Sequence, residues 1–225
     1  MFGRNTPAGI VKLDSKKPTQ ELDAYAKATY GRFDTIEFEG AVGGPIVEDV
    51  LAARISIRHQ HRDDYVNNAN PNAQPDQREF GGYDDFAGRF QLLYTPGENF
   101  SALLNFHARS LDGTARVFRA NIIEQGEGGL IDNFDRRTVN FDGRNNQDLD
   151  TRGANLKLEY DFDSFTLTSI TAFEHGEVFS VGDVDGGFGA SFLGNDSPAP
   201  IPFDAQTADA IPDLDQWTQE LRIAS

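Results

Sequence analysis

Along this 225-residue chain, stretches of alternating apolar and polar residues are separated by connections of two very different kinds. Every second connection is tight: GGPIVED at 43–49, TPGE at 95–98 and DFDS at 161–164. The connections between them are long and polar, running over 63–84, 111–150 and 181–214, and only the first, at Gly31–Asp34, is short. Antiparallel hairpins put alternate connections at opposite ends of a sheet. One end of this sheet therefore carries tight turns and the other carries large loops, the asymmetry of a transmembrane β-barrel.

Composition fits a wall that is apolar on one face only. Apolar residues make up just 38% of the chain, although it holds 18 Phe and 22 Gly, and the mean hydropathy is −0.50. A soluble domain with this much β pattern would draw more on Val, Ile and Leu for its core. A net charge of −16 argues against nucleic acid as a partner, because neutralising phosphates needs Lys and Arg. The absence of cysteine removes disulfides and thiolate metal sites. No run of 18 apolar residues suggests a transmembrane helix, and no internal repeat suggests a propeller or solenoid. The opening MFGRNTPAGIVKLDSKKPTQ has no charged segment followed by an apolar one, so it is not a signal peptide. A barrel must be exported, so either the barrel reading fails or the chain is part of a longer protein.

The pattern predicts strands near 21–31, 35–43, 50–62, 85–95, 99–109, 152–161, 165–180 and 216–224, with a shorter extended piece at 9–14. About 9–11 residues of a tilted strand cross the hydrocarbon. Ile36, Phe38, Gly40 and Val42 share a face opposite Glu37 and Glu39. Leu51, Ala53, Ile55 and Ile57 oppose Arg54 and Arg58; Phe86, Phe90, Leu92 and Tyr94 oppose Arg89. Leu156, Leu158 and Tyr160 lie against Lys157 and Glu159, and Trp217, Leu221 and Ile223 against Glu220 and Arg222. The charges fix the register, since Lys or Arg facing lipid at mid-membrane costs roughly 2–4 kcal/mol and a one-residue slip would turn all of them outward. FTLTSITAF at 165–173 is ambiguous, because Ser and Thr suit either face. A soluble β-sandwich alternates equally well, but the sorted loop lengths and the strand-end aromatics Tyr30, Tyr65, Tyr94, Tyr160 and Trp217 favour the barrel.

Several segments carry a resemblance. FGRNTPAGIVKLDSKKPT at the start, GAVGGPI (40–46) leading into LAARISI, QHRDDYV (60–66), LTSITAF (167–173) and QWTQELRIAS (216–225) resemble, in order and spacing, TonB-dependent outer-membrane receptors. The resemblance implies that residues 1–18 are the C-terminal end of a plug domain and that 19–225 form the N-terminal part of a transmembrane β-barrel. Such barrels run to about 22 strands, so the roughly eight strands here would be an incomplete barrel. It further implies location in the outer membrane of a Gram-negative cell, contact with outer-membrane lipid, and energised uptake of a scarce nutrient. A ferric siderophore is the commonest such substrate, and the TonB complex would act through a segment N-terminal to this chain. No cofactor is implied. Two other classes stay open: a self-contained small barrel or adhesin-like surface protein, and a secreted β-sandwich binding module.

Candidate site residues follow from this frame. Arg4, Asn5 and Gly9 lie in the plug-like turn, and Glu220 and Arg222 face the lumen by parity, so these five are candidates for plug–barrel contact. Arg116, Arg119, Arg136 and Arg137, with Phe118, are candidates for capturing an anionic aromatic chelate, since guanidinium groups pair bidentately with such oxygens. Acids outnumber arginines in the same loop, so surface pairing is the competing reading. His59 and His61 share a strand face but are read as interfacial imidazoles. Asp183-Val-Asp185 is read as a flexible acidic loop without the later ligands of a calcium site. No catalytic motif or phosphate-binding glycine loop is present, and the chain is not expected to be an enzyme.

Overall fold

The computed structural model describes residues 14–120, 122–124, 126–132, 134–187 and 205–225. They form β1 (Asp23–Tyr30), β2 (Ile36–Val47), β3 (Leu51–Arg62), β4 (Val66–Asn68), β5 (Glu79–Phe80), β6 (Tyr83–Tyr94), β7 (Phe100–Gly113), β8 (Thr138–Val139), β9 (Asn146–Phe162), β10 (Phe165–Asp183) and β11 (Gln206–Ala224). Eight of these make one antiparallel sheet in the order β1-β2-β3-β6-β7-β9-β10-β11, so every long strand pairs with its successor in sequence. All eight predicted long strands are present. The extended piece expected at 9–14 lies, apart from Asp14, outside the described residues.

The register confirms the parity argument. Ile55 faces Val42 on one side and Phe90 on the other, Phe90 faces Phe106, and Phe106 faces Ala154. The opposite face carries the row Arg54, Gln91, Asn105 and Asn155. Burial is inverted relative to a soluble sheet: Arg54, Gln91 and Asn105 are only 5%, 4% and 7% exposed, whereas Ile55, Phe106 and Trp217 are 49%, 46% and 73% exposed. The polar face is the crowded one, as on the inside of a curved wall, and the apolar face looks outward. A sandwich would bury the apolar face against a second sheet, so that reading is excluded. The ambiguous seventh segment resolves with Leu167 and Phe173 on the apolar face, beside Tyr160 and Trp217.

On β6 the outward band runs from Phe86 to Tyr94, which spans about 20–25 Å at the usual strand rise and tilt. Its turn-side edge is aromatic. Tyr94 meets Phe100 edge-on, and Tyr160, Phe162 and Phe165 stack in sequence at centroid spacings of 4.5 Å.

Several strand limits differ from expectation, three of them instructively. β2 continues to Val47 through a register shift between Pro45 and Val47, so the tight turn is shorter than 43–49. β9 begins at Asn146 rather than near 152, and β11 at Gln206 rather than 216. In both cases the added turns of strand stand beyond the apolar band, where water meets both faces and alternation is not required. Pro212 sits at the edge of the sheet beside a register shift between Gly176 and Val178, a place where a missing N–H is tolerated.

A charge on the outward face is expected to destabilise the wall. Leu104→Arg, between Leu92 and Leu156, should cost about 2–4 kcal/mol in urea-induced unfolding from lipid vesicles. Ser56→Glu, inward between Arg54 and Arg89, should change stability by less than about 0.5 kcal/mol.

Candidate functional site

The loop end of the sheet is closed by a small folded cap. Three short strands form a second sheet in the order β5-β4-β8, with β4 antiparallel to β5 and parallel to β8. Val66, Phe80, Val139 and Phe141 form its buried core, with Tyr65 and Val117 packed on it. Asn68 binds the two long loops together: its Nδ2 donates to the carbonyls of Gln77 and Phe141, each at 2.9 Å, and its Oδ1 accepts from the Phe141 amide at 3.0 Å. Asn70 Nδ2 donates to the same Phe141 carbonyl at 2.8 Å. Arg62 lies over the rings of Tyr65 and Tyr83 and donates to the Gly81 carbonyl. Gly81 adopts φ +101°, and a Cβ there would fall 2.4 Å from the Tyr65 ring. The short first connection joins in, with Phe33 stacked on Tyr65 at 4.5 Å.

The loop arginines divide by role. Arg119 donates to the carbonyls of Thr138 and Arg136, and the Arg137 guanidinium sits 5.3 Å over the Phe33 ring. These two hold the cap together. Arg116, Arg136 and Phe118 are exposed on its surface. Asp135, which caps the Arg137 amide and accepts from Thr138, is held below the usual carboxylate range by those hydrogen bonds.

At the far side of the cap the carboxylates of Asp142, Asp183 and Asp185 lie within 4.8 Å of one another. Asp183 was expected in a flexible loop. Instead it ends β10 with 3% exposure and accepts hydrogen bonds from the Gly143 and Gly186 amides at 3.3 and 2.8 Å. Burial, reinforced by the charges of Asp185 and Asp142 and opposed by the two amides, pushes its carboxyl up to about 6. A second group, on the outward face above the band, places His175 within 2.8 Å of Asp215, 3.4 Å of Glu177 and 3.7 Å of Asp213. Both groups have donors enough for a cation. Amide bonds account for Asp183 and an ion pair for His175, so each already serves as a structural tie. His59 and His61 both contact Asp84, at 3.1 Å, and His61 also contacts Asp63 at 3.0 Å.

Below the cap, the inward face holds a cavity of about 670 Å³ lined by Tyr25, Arg54, Arg58, Arg89, His107 and Arg109, among others. Arg54 pairs with Asp23, which also meets Lys16 at 2.8 Å. Arg109 makes a two-point bond to Asp85 at 2.9 and 3.0 Å. Glu174 reaches across β9 to His107, 2.9 Å from Nε2, and can do so because Gly153 lies between: a Cβ there would fall 2.2 Å from its carboxylate oxygen. Asn105 Nδ2 donates to His107 Nδ1 at 3.3 Å, so Nε2 carries the proton given to Glu174. Among the described residues no ion pair reaches Arg58 or Arg89, and Arg89 Nε and Asn105 Oδ1 are buried without a hydrogen-bond partner. Buried polar atoms are rarely left in that state. The inward face thus presents unspent donors and several guanidinium groups, with Glu39 directly opposite Arg58 and bonded to the Tyr25 hydroxyl.

Of the proposed plug contacts, Arg4, Asn5 and Gly9 lie outside the described residues. Glu220 and Arg222 face the lumen and pair with each other on β11. The lumenal arginines were legible only as markers of register.

An inside-out antiparallel sheet with tight turns at one end and a folded cap at the other defines part of the wall of a membrane β-barrel. No protein-family profile matches the chain. The fold is similar to that in the crystal structure of the ferric yersiniabactin uptake receptor FyuA from Yersinia pestis, with a TM-score of 0.59 at 14% identity over 74% of this chain. The chain spans about a quarter, 26%, of that receptor's length. At this identity the likeness is one of fold: an outer-membrane receptor barrel.

Two outcomes test the cap. Phe141→Ala should cost the cap about 3–5 kcal/mol, seen as rapid proteolysis within 114–145 while the long strands stay protected. The folded cap should gain stability as pH falls, because the folded site binds the proton more tightly than a free carboxyl, although each amide bond to the carboxylate weakens on protonation. The gain begins near pH 6 and is complete below about pH 4. The cap's resistance to urea should rise over that window, and Asp183→Asn should abolish the dependence.

Proposed function

We propose that the chain is part of a TonB-dependent receptor that takes up a scarce nutrient across the outer membrane, with a ferric siderophore as the leading substrate class. The observation that carries this reading is the lumenal cavity beneath an ordered cap, with Arg58 and Arg89 in no ion pair among the described residues. Guanidinium groups in a low-dielectric, water-restricted channel attract anionic oxygens far more strongly than they do at an open surface. The likeness to an uptake receptor supports the same reading.

In this account Arg116, Arg136 and Phe118 on the cap make first contact with an anionic chelate, and the lumenal arginines receive either the substrate or an acidic face of a plug. Residues 1–18 are the end of that plug, and 19–225 the first part of the barrel. The TonB complex acts through a segment N-terminal to this chain. Uptake needs binding and release but no bond breaking in the substrate, so no catalytic group or cofactor is invoked.

The test is uptake of iron-55 chelates by cells expressing the complete receptor. Arg58→Gln with Arg89→Gln should lower uptake at least tenfold while leaving the amount of folded receptor in the outer membrane unchanged. Equal uptake of every ferric chelate by cells with and without the gene would refute the substrate class.

A further inference from the structure

On β10 and β11 the loop-side limit of the apolar band is marked by Phe173 and Trp217, which face each other with ring centroids 4.8 Å apart. The next outward positions are His175 and Asp215, again directly opposed. Beyond them β11 carries one extra residue. Gly176 faces Leu214 but Val178 faces Ile211, so Pro212 and Asp213 together stand against Glu177. Bulges of this kind re-aim side chains, and here Asp213 approaches the same imidazole nitrogen as Asp215.

Both ring nitrogens of His175 are flanked by acids. Nδ1 lies 2.8 Å from Asp215 and 3.7 Å from Asp213, and Nε2 lies 3.4 Å from Glu177. A neutral imidazole carries one proton, so it would satisfy one side and turn a bare lone pair toward an oxygen anion on the other. The ring therefore needs a second cation, either another proton or a metal ion on Nδ1. Around it, Asp150, Glu177, Asp213 and Asp215 stand against one guanidinium, that of Arg152, opposite His175 on β9. Carboxylates opposed across strands, as Asp150 and Glu177 are, repel. A second proton on the ring adds one positive charge to this group, whereas a divalent ion on a neutral ring adds two.

We propose that His175 Nδ1, Asp213 and Asp215 form a binding site for a divalent ion of the zinc type, with Glu177 as its positioning residue. One donor atom from each of the three ligands lies within 4.8 Å of the others. Donors around a tetrahedral zinc stand about 3.3 Å apart, a value that the 2.8 and 3.7 Å spacings bracket. The proton on Nε2 goes to Glu177, the carboxylate that orients a metal-bound imidazole from behind. The mixed donor set selects the ion, because imidazole suits zinc, nickel and copper, whereas magnesium and calcium take oxygen ligands. Asp213 and Asp215 are exposed, which leaves the fourth position to water. The site needs only the pairing of β10 with β11, and so goes beyond the uptake reading.

The experiment is equilibrium dialysis of the intact protein in detergent, stripped with a chelator and then exposed to zinc chloride. His175→Gln and Asp215→Asn should each bind one zinc ion per chain fewer than the parent, and a large excess of magnesium should make no difference. Glu177→Gln should keep the ion but weaken its binding at least tenfold, a change that a merely structural role would not produce. Circular dichroism matched to the parent shows that the variants fold. Cobalt gives a readout that leaves every ligand in place, since it accepts the same donors and quenches nearby indole emission. It should quench the part of the fluorescence that Trp217→Phe removes. Equal zinc stoichiometry in parent and ligand variants, displacement of the ion by magnesium, or Trp217 emission unchanged by cobalt would overturn the site. Undiminished affinity in Glu177→Gln would overturn its positioning role.

Discussion

Everything in this structure depends on which way the charges on the long strands point. A guanidinium or ammonium group cannot face hydrocarbon cheaply, so Arg54, Arg58, Arg89 and Lys157 turn one face of the sheet inward. Their alternate neighbours Ile55, Ile57, Phe90 and Leu156 then have no choice but to face out. With a period of two, one such decision propagates along a strand, and backbone pairing carries it to the next. The result is a sheet that buries Arg54 and Gln91 and exposes Ile55 and Phe106, stable only where the solvent on the outside is lipid.

The inward turn of the charges creates a second problem, which the lumen solves unevenly. Arg54 and Arg109 meet carboxylates of their own wall, and His107 is reached by Glu174 only because Gly153 clears a path. Arg58 and Arg89 are left facing the interior. The loops solve a different problem. Beyond the apolar band they lack a membrane to organise them, and they build their own core around Phe80 and Phe141, stitched by Asn68. Wall, lumen and cap are thus three solvents' worth of structure in one chain, and the candidate site lies where they meet.

The wall was legible in the sequence because its rule is local: the contrast between Arg54 and Ile55 states a face without reference to anything distant. The upper ends of β9 and β11 were not, because QTADAIPDLD at 206–215 stands in water on both sides and has no reason to alternate. The cap was hidden for another reason. Its strands β4, β5 and β8 are three, two and two residues long, and Val66 and Phe141 come together across two loops whose apolar residues follow no regular period. Local pattern has nothing to say about such pairings. Of the loop residues singled out in the sequence, Arg116, Arg136 and Phe118 stand exposed on the cap, whereas Arg119 and Arg137 are spent on holding it. The cationic lumen was visible as residues and not as a place, because the contacts of Glu174 with His107 and of Arg109 with Asp85 depend on sheet register rather than on spacing in sequence.

The central claim is the inversion of the sheet, and the chain's lack of cysteine makes it directly measurable. Single cysteines placed in turn at Leu104, Asn105, Phe106 and His107 of β7, spin-labelled and reconstituted in lipid vesicles, report whether each position meets dissolved oxygen in the bilayer or a water-soluble nickel chelate. The account predicts a strict alternation, with 104 and 106 relaxed by oxygen and 105 and 107 by the chelate. Four labels relaxed alike by the aqueous reagent, or an alternation of the opposite phase, would contradict it.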